Sequence, residues 1–249
     1  LGAQLLHRTT RRVTVTPDGA AYYERSARLL ADFDELHSSM VNAQAAPGGR
    51  ICVDVSSAIA RMVIVPALAG FLERYPDIDI DLGVSDKPVD LTADNVDVGL
   101  RTGQVDDESL VARRIGMLRI ITVAAPAYLA RHGVPEHPRE IESGKHVLIG
   151  FFQHGGVRRR YPYVFEADDE RFEVGAAPRV AANEVYSHLM AVLAGHGIGQ
   201  TIDFVAEPHL QQGELVRLLP AWTRPALPIH VVYPPNRHLS ARVRVFVDW

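Results

Sequence analysis

Four polar junctions in the 249-residue chain carry side chains able to hold a ligand: Ser56-Ser57, Arg101-Thr102-Gly103, Ala125-Pro126 and Asn183-Glu184. Each falls where a β-like run ends and a turn or a helix begins. In an open α/β sheet, ligands bind beyond the carboxyl ends of the strands, where helix N-termini present unpaired N–H groups and partial positive charge. The hydroxyls of Ser56, Ser57 and Thr102, the amide of Asn183 with Glu184 beside it, and the small residues Gly103 and Ala125 suit a small polar or anionic ligand. Arg101 is a charge partner for it only if its side chain does not point away. Any one junction alone reads as a plain helix cap; their force lies in recurring at equivalent places in two series.

Other chemistries find no constellation. The chain contains no G-x-S-x-G elbow, no H-E-x-x-H and no G-x-x-x-x-G-K-[ST], and its 11 histidines are scattered, so neither a nucleophile nor a metal or cofactor site is nominated. Gly195-His196-Gly197-Ile198-Gly199 follows a helix and leads into a strand, the reverse of a dinucleotide cradle, and reads as a helix C-cap and turn. Cys52 lies within an apolar run and reads as an inert core thiol. Arg158-Arg159-Arg160-Tyr161-Pro162-Tyr163 combines charge with aromatic rings and could contact nucleic acid, against the plainer reading of a solvated strand edge.

The elements that must position the junctions follow from periodicity. Ile51–Val55 is an apolar strand, and 58–75 carries a helical stripe at Ile64, Leu68, Phe71, Leu72 and Tyr75. Ile78, Ile80 and Leu82 alternate with Asp77, Asp79 and Asp81, which predicts a strand with one wet face near a sheet edge. Strands are predicted at 96–101, 110–115 and 118–124, the last two separated by Gly116. A second series follows between Pro126 and Pro228: a helix near 128–131, a strand at 147–152, a hairpin turning at Asp168-Asp169-Glu170, a strand at 179–182, a helix at 184–194 and a strand at 198–202. A strand at 229–233 and a helix at 239–249 close the chain. Strands alternating with helices define an α/β class.

The chain begins differently. Residues 1–16 hold Arg8, Arg11 and Arg12 and no acid, in two β-prone halves around a polar centre. This is either a basic hairpin that touches phosphates or a solvated strand at a chain end. Thr16-Pro17-Asp18-Gly19 reads as a helix start. Tyr22, Ser26, Leu29, Phe33, Leu36, Met40 and Ala43 then recur at steps of 4, 3, 4, 3, 4 and 3, the spacing of a seam that faces a partner helix. The alternative is an amphipathic helix lying on its own domain, and Ala45-Ala46-Pro47-Gly48-Gly49 breaks it from the strand at 51–55.

Composition bounds the remaining classes. With 47% apolar residues, 22% charged residues and a formal charge of −4, the chain can bury a substantial core, and disorder is excluded as its main theme. No apolar run reaches the ~18 residues of a membrane helix. A single cysteine fits the reducing cytoplasm. Opening on Leu1 without a signal-like profile, the sequence reads as a piece of a longer polypeptide.

Over essentially its whole length the chain resembles the LysR-type transcriptional regulators. The matching stretches are 1–20, 66–76 with Phe71-Leu72-Glu73-Arg74-Tyr75-Pro76, Asp97 to Gly103, Ala125 to Leu129, Gly195 to Gly199 and Gly213 to Pro220. The resemblance implies an α/β protein: a remnant of a winged helix-turn-helix at 1–16, a linker and dimerisation helix at 17–46, and a periplasmic-binding-protein-like effector domain of two α/β subdomains, 50–124 plus 229–249 and 125–228. It implies double-stranded DNA as partner, with wing contacts from Arg8, Arg11 and Arg12. It also implies a homodimer or homotetramer joined through Tyr22, Leu29, Phe33, Leu36 and Met40, a small effector in the cleft between the subdomains, no enzymatic activity, no metal and no cofactor. Nearly all of the family's base-reading helices lie outside this stretch. The expectation is a cytoplasmic regulator of transcription; a bilobal solute-binding receptor is the alternative, and an enzyme the weaker one.

Overall fold

The computed structural model describes residues 2–8, 13–23, 25–26, 29–30, 33, 47–87, 89–105, 107–153, 159–175, 178–235 and 239–249. Strands β1 (Leu6–Arg8) and β2 (Val13–Val15) pair antiparallel. Thr16 then starts a helix: its Oγ1 accepts from Gly19 N at 2.9 Å and donates to Gln4 O at 2.7 Å. Gly19 is required there, because an added Cβ would stand 1.9 Å from Leu5 O. Helix α1 is described at residues 17–23, 25, 26, 29, 30 and 33. Of the arm and seam residues, Arg8, Tyr22, Leu29 and Phe33 are described and exposed, whereas Arg11, Arg12, Leu36 and Met40 lie outside the described residues.

A five-stranded sheet follows in the order β4-β3-β5-β15-β6, from β3 (Gly49–Val55), β4 (Ile78–Val84), β5 (Val98–Thr102), β6 (Val111–Leu118) and β15 (Leu227–Tyr233). β3 runs parallel to both β4 and β5, while β15 is antiparallel to β5 and β6. The interior strand β3 buries Ile51, Val53, Asp54 and Val55, as expected of a strand covered on both faces. The Asp-alternating β4 sits at the edge, with Asp79 and Asp81 in solvent. Cys52 is half-buried, its Sγ 4.0 Å from Asp81 Oδ2, and so is not a core thiol. Gly116 does not divide two strands: β6 runs through it, and the ladder to β15 shifts register beside it, at Ile229/His230.

The helical stripe divides into α2 (Ser57–Ile59), a π-helical turn (Ala60–Ile64) and α3 (Val65–Arg74). Pro66 has no N–H to donate and its ring crowds the carbonyl four residues back; the helix widens just ahead of it. Phe71 is fully buried against Tyr75, against Phe246 of α8 (Ala241–Asp248) and against Trp249. Burial of such a ring stabilises by about 1.5–3 kcal/mol.

Strand β7 (Ile120–Ala124) departs from the sequence reading, which placed it with the first series. It hydrogen-bonds instead to β13 (Gly199–Ile202) and β14 (Val216–Leu218), both antiparallel. One residue, Arg119, separates it from β6, and an apolar strand carries no local mark of the sheet it joins. A parallel bridge from Leu148 to Ile198 connects this group to a second one, in the order β12-β8-β9, made of β8 (Ile149–Gln153), β9 (Arg159–Tyr161) and β12 (Val180–Ala182). Around them lie α4 (Pro126–His132), α5 (Pro138–Glu142), the hairpin of β10 (Tyr163–Ala167) and β11 (Glu170–Val174), α6 (Val185–Leu193) and α7 (Asp203–Gln211). The hairpin turns at Asp168, with φ 50°. Gly195, with φ 74°, follows the end of α6 as the C-cap reading requires.

One buried apolar cluster runs from Ile51, Val53 and Phe71 across to Ile149, Leu189, Val192 and Val205, so the two series pack against each other. A second cluster, with Tyr128, Ile141, Leu148, Tyr163 and Phe165, fills the space beneath α4, α5 and the hairpin. No helix among the described residues is long and apolar enough to cross a membrane.

Candidate functional site

Strand direction decides which junctions meet. β3, β4 and β5 are parallel, so Ser56-Ser57, Ser85-Asp86 and Thr102-Gly103 all lie at one end of the first sheet. In the second series β8 and β12 run parallel, and Asn183-Glu184 emerges at their carboxyl end to start α6. The two ends face each other. Ser57 Oγ lies 2.7 Å from Glu184 Oε1 and 3.0 Å from Asp86 Oδ2. Asp86 also accepts from Ser57 N at 2.7 Å and from Val185 N at 2.8 Å. A single carboxylate thus caps the first residues of α2 and α6, taking the place of an external anion at both helix starts.

Glu184, rather than Asn183, is the N-cap of α6. Its Oε1 accepts from Tyr186 N at 2.8 Å, and its Oε2 accepts from Ser187 N at 2.7 Å and Ser187 Oγ at 2.8 Å. Burial raises its pKa, but these amides and the Ser57 and Ser187 hydroxyls outweigh that effect and hold the carboxyl below its usual range. Asn183 stands one residue ahead, half-buried, its side chain without a hydrogen bond among the described residues. Two carboxylates therefore converge on Ser57, whose hydroxyl has one proton to give. The adjacent cation is Arg61 of the π turn, with its guanidinium carbon 4.6 Å from the centre of the Tyr186 ring. The Tyr186 hydroxyl is buried and makes no hydrogen bond among the described residues.

The remaining sequence candidates separate. Ser56, between β3 and α2, is extended and its side chain makes no cap bond; its carbonyl accepts from Ala60 N at 2.9 Å. Arg101 turns away from the junction: Nη1 is 2.5 Å from Asp54 Oδ1, and the side chains of the pair are 18% and 6% exposed. Burial raises the Asp54 pKa while Arg101 lowers it, with a net upward shift. This guanidinium is spent on an interior charge and is not available to a ligand. Thr102 is exposed, and Gly103, at φ 94°, gives its N–H to Pro228 O at 2.8 Å, which ties the end of β5 to the start of β15.

Ala125 lies at the wrong end. β7 is antiparallel to β13, whose direction follows β8 through the Leu148–Ile198 bridge, so residue 125 is at the opposite end of the sheet from residue 184. It is buried, and its carbonyl accepts from Tyr128 N and Leu129 N at the start of α4. A strand-to-helix junction in sequence does not reveal which way its strand points.

Asp86, Arg61 and Tyr186 escaped the sequence reading. Applied to the Asp-alternating strand 78–84, the strand-end rule reaches Ser85-Asp86, so Asp86 carried a signal. Arg61 and Tyr186 carried none beyond their positions on helices. Arg224 is a further half-buried cation, 3.4 Å from Gln200 Oε1, and burial lowers its pKa despite the nearby phenols of Tyr163 and Tyr161.

Comparison with known proteins identifies the family. Residues 44–249 match the family model described as the LysR substrate binding domain. An HTH-type transcriptional repressor of Pseudomonas aeruginosa is 37% identical over 249 residues, covering 100% of this chain and 78% of that protein. The uncharacterised HTH-type regulator YhjC of Escherichia coli is 35% identical, covering 100% and 82%. Among solved structures, CrgA of Neisseria meningitidis, a LysR-type transcriptional regulator, superposes with TM-score 0.71 at 31% identity, covering 99% of this chain and 82% of that one. AphB, a virulence activator of Vibrio cholerae, does so with TM-score 0.71 at 28% identity, covering 98% and 82%.

Proposed function

This chain belongs to the LysR-type transcriptional regulators, and from that premise we propose that its sensing element is the hydrogen-bonded junction of Ser57, Asp86 and Glu184. The protein regulates transcription in response to an effector. The family consists of regulators rather than enzymes, and we assign this chain no catalytic role. It acts in the cytoplasm as a dimer or a tetramer, joined through the seam of Tyr22, Leu29, Phe33, Leu36 and Met40. The arm of Arg8, Arg11 and Arg12 meets the phosphates of double-stranded DNA, which positions the protein without reading sequence.

The effector domain divides by sheet membership, at Arg119 and again ahead of Leu227, into two lobes. Residues 50–118 with 227–249 form one, and residues 120–226 form the other. The effector enters between them. Its chemistry departs from the anionic expectation: the amides that would receive an anion are already capped by Asp86 and Glu184, and Arg101 is neutralised by Asp54. A small polar molecule that brings hydrogen-bond donors, such as hydroxyl, amide or ammonium groups, is the better complement to two carboxylates sharing one hydroxyl. Asn183 supplies a further polar contact.

The single observation that carries this reading is the 2.7 Å contact of Ser57 Oγ with Glu184 Oε1 across the lobes. A ligand that replaces it prefers one degree of closure, and so shifts the population of that state and with it the spacing of the DNA-binding ends. Couplings of this type amount to ~1–3 kcal/mol, or about 5–150-fold in DNA affinity. The test is a small-molecule screen by thermal shift on the wild-type protein, with hits titrated calorimetrically into Ser57→Ala and Asn183→Ala variants. Weakened binding in both is expected. Hits that bind both variants as tightly as wild type would place the sensing site elsewhere.

A further inference from the structure

The arginine run of β9 finds a use on the side of the second lobe away from α6. Phe151 of β8 sets its ring edge against His188 of α6, with centroids 5.9 Å apart, so Phe151 faces that helix and its neighbours Gly150 and Phe152 face the other way. On that other face, Arg160 of β9 stands directly opposite Phe152, and Ala181 of β12 stands opposite Gly150. Gly150 and Ala181 are too small to fill the space above them, and Pro178 closes over Gly150, within 2.4 Å of where a Cβ would be. What remains is a half-open pocket of about 380 Å3 lined by Phe152, Arg160, Pro178, Arg179 and Ala181. That volume falls within the roughly 300–1,000 Å3 of small-molecule sites.

Arg160 of β9 and Arg179, the residue just ahead of β12, line the cavity from opposite sides of β8. Neither the Arg160 nor the Arg179 side chain forms an ion pair or a hydrogen bond among the described residues. The other cations with close carboxylates, such as Arg101 with Asp54 and Arg119 with Asp203, are already neutralised. We propose that this cavity is a second ligand site, distinct from the cleft at Ser57 and Glu184, which takes a small organic carboxylate with an apolar body. The carboxylate sits between the Arg160 and Arg179 forks, which match its geometry, and the apolar body lies on Phe152 and Pro178. The site complements the cleft in charge: the cleft carries the Asp86 and Glu184 carboxylates, and this cavity carries two arginines with no carboxylate partner among the described residues.

Benzoate is the probe. In titration calorimetry the wild-type protein is expected to bind benzoate at one site per chain, and benzylamine, of the same shape but opposite charge, is expected not to bind there. Arg160→Ala and Arg179→Ala each weaken benzoate binding by about tenfold or more, as expected for loss of a charge-assisted contact. Both arginines are exposed, so the variants should unfold at the wild-type midpoint, and Arg160→Lys should recover part of the affinity. The cleft variants Ser57→Ala and Glu184→Gln should bind benzoate as wild type does, which separates failure at this site from failure of the cleft assignment. The proposal is overturned if wild type gives no benzoate isotherm, if both arginine variants retain wild-type affinity, if benzylamine competes equally, or if only the cleft variants lose binding.

Discussion

Ser57 Oγ and Glu184 Oε1 lie 2.7 Å apart although the two residues are 127 positions distant in the chain. The contact joins the first residue of one helix to the N-cap of another, and Asp86 ties both helix starts from a third element. Opening the lobes therefore breaks two hydrogen bonds together, Ser57 Oγ to Glu184 and Val185 N to Asp86, and under the proposed function the strength of this pair sets how readily an effector intervenes.

Removing the shared hydroxyl should loosen the junction. Loss of one such hydrogen bond costs about 1 kcal/mol, or roughly fivefold in the opening equilibrium. In hydrogen–deuterium exchange, Ser57→Ala is expected to speed exchange at the Val185 and Tyr186 amides by about that factor, with β3 and β5 unchanged. Equal protection in variant and wild type would mean that the Ser57 contact does not hold the lobes.

Asp86 occupies the place of an anion, and its removal should create a vacancy that a free anion can fill. Asp86→Ala is expected to lower the unfolding midpoint and to regain part of the loss in acetate, since a ligand that binds only the folded state stabilises it. Wild type should respond less, because its Ser57 and Val185 N–H groups are already capped by Asp86. If acetate leaves variant and wild type alike, the N–H groups of Ser57 and Val185 do not form an anion site.

The Asp54–Arg101 pair is a structural commitment rather than a binding group. Asp54→Asn strands a guanidinium that is only 18% exposed, and breaking a buried pair from one side costs about 3–5 kcal/mol. Urea denaturation should show a loss toward the lower end of that range, because Arg101 keeps partial solvent access. A change below ~1 kcal/mol would show that the pair is solvent-screened after all.

Acid should destabilise the protein in two separate windows. His188 is buried with Nε2 3.0 Å from Ile149 O, and burial holds its pKa below the ordinary value of 6.5. Its neutral form is favoured in the fold, so stability is full above 6.5 and declines as pH falls below it, when the unfolded chain takes up a proton first. Glu184 has a depressed carboxyl pKa, so its contribution is present above its ordinary 4.5 and is lost as pH falls through the lower folded value. Thermal unfolding between pH 8 and 3 should show both declines. His188→Gln should flatten the upper one, and Glu184→Gln the lower. An upper decline unchanged in His188→Gln would assign it to another group.

The α1 seam should behave as an interface between copies. Leu29 and Phe33 are 70% and 64% exposed in the single chain, a large apolar area to leave in water. Leu29→Glu combined with Phe33→Glu should shift sedimentation from dimer to monomer without altering the unfolding of the effector lobes. A dimer that persists unchanged would remove the seam from the assembly.

Much of the molecule is written in local pattern. The alternation Asp79-Ile80-Asp81-Leu82 foretold an edge strand, Thr16 to Gly19 a helix start, Asp168 a hairpin turn and Gly195 a helix end. Each depends on forces acting within a few residues: side-chain period, capping and the left-handed backbone. The junction residues Ser57 and Glu184 were legible for the same reason, since a strand end or helix start is a local event. The tertiary structure alone decided that Arg101 turns to Asp54, that Ala125 sits at the far end of its sheet, that Ile120–Ala124 joins the second sheet, and that Asp86 caps two helices. Those outcomes depend on strand direction and on contacts across the whole chain. Periodicity and capping determine what an element is, whereas burial and charge pairing between distant elements determine what it meets.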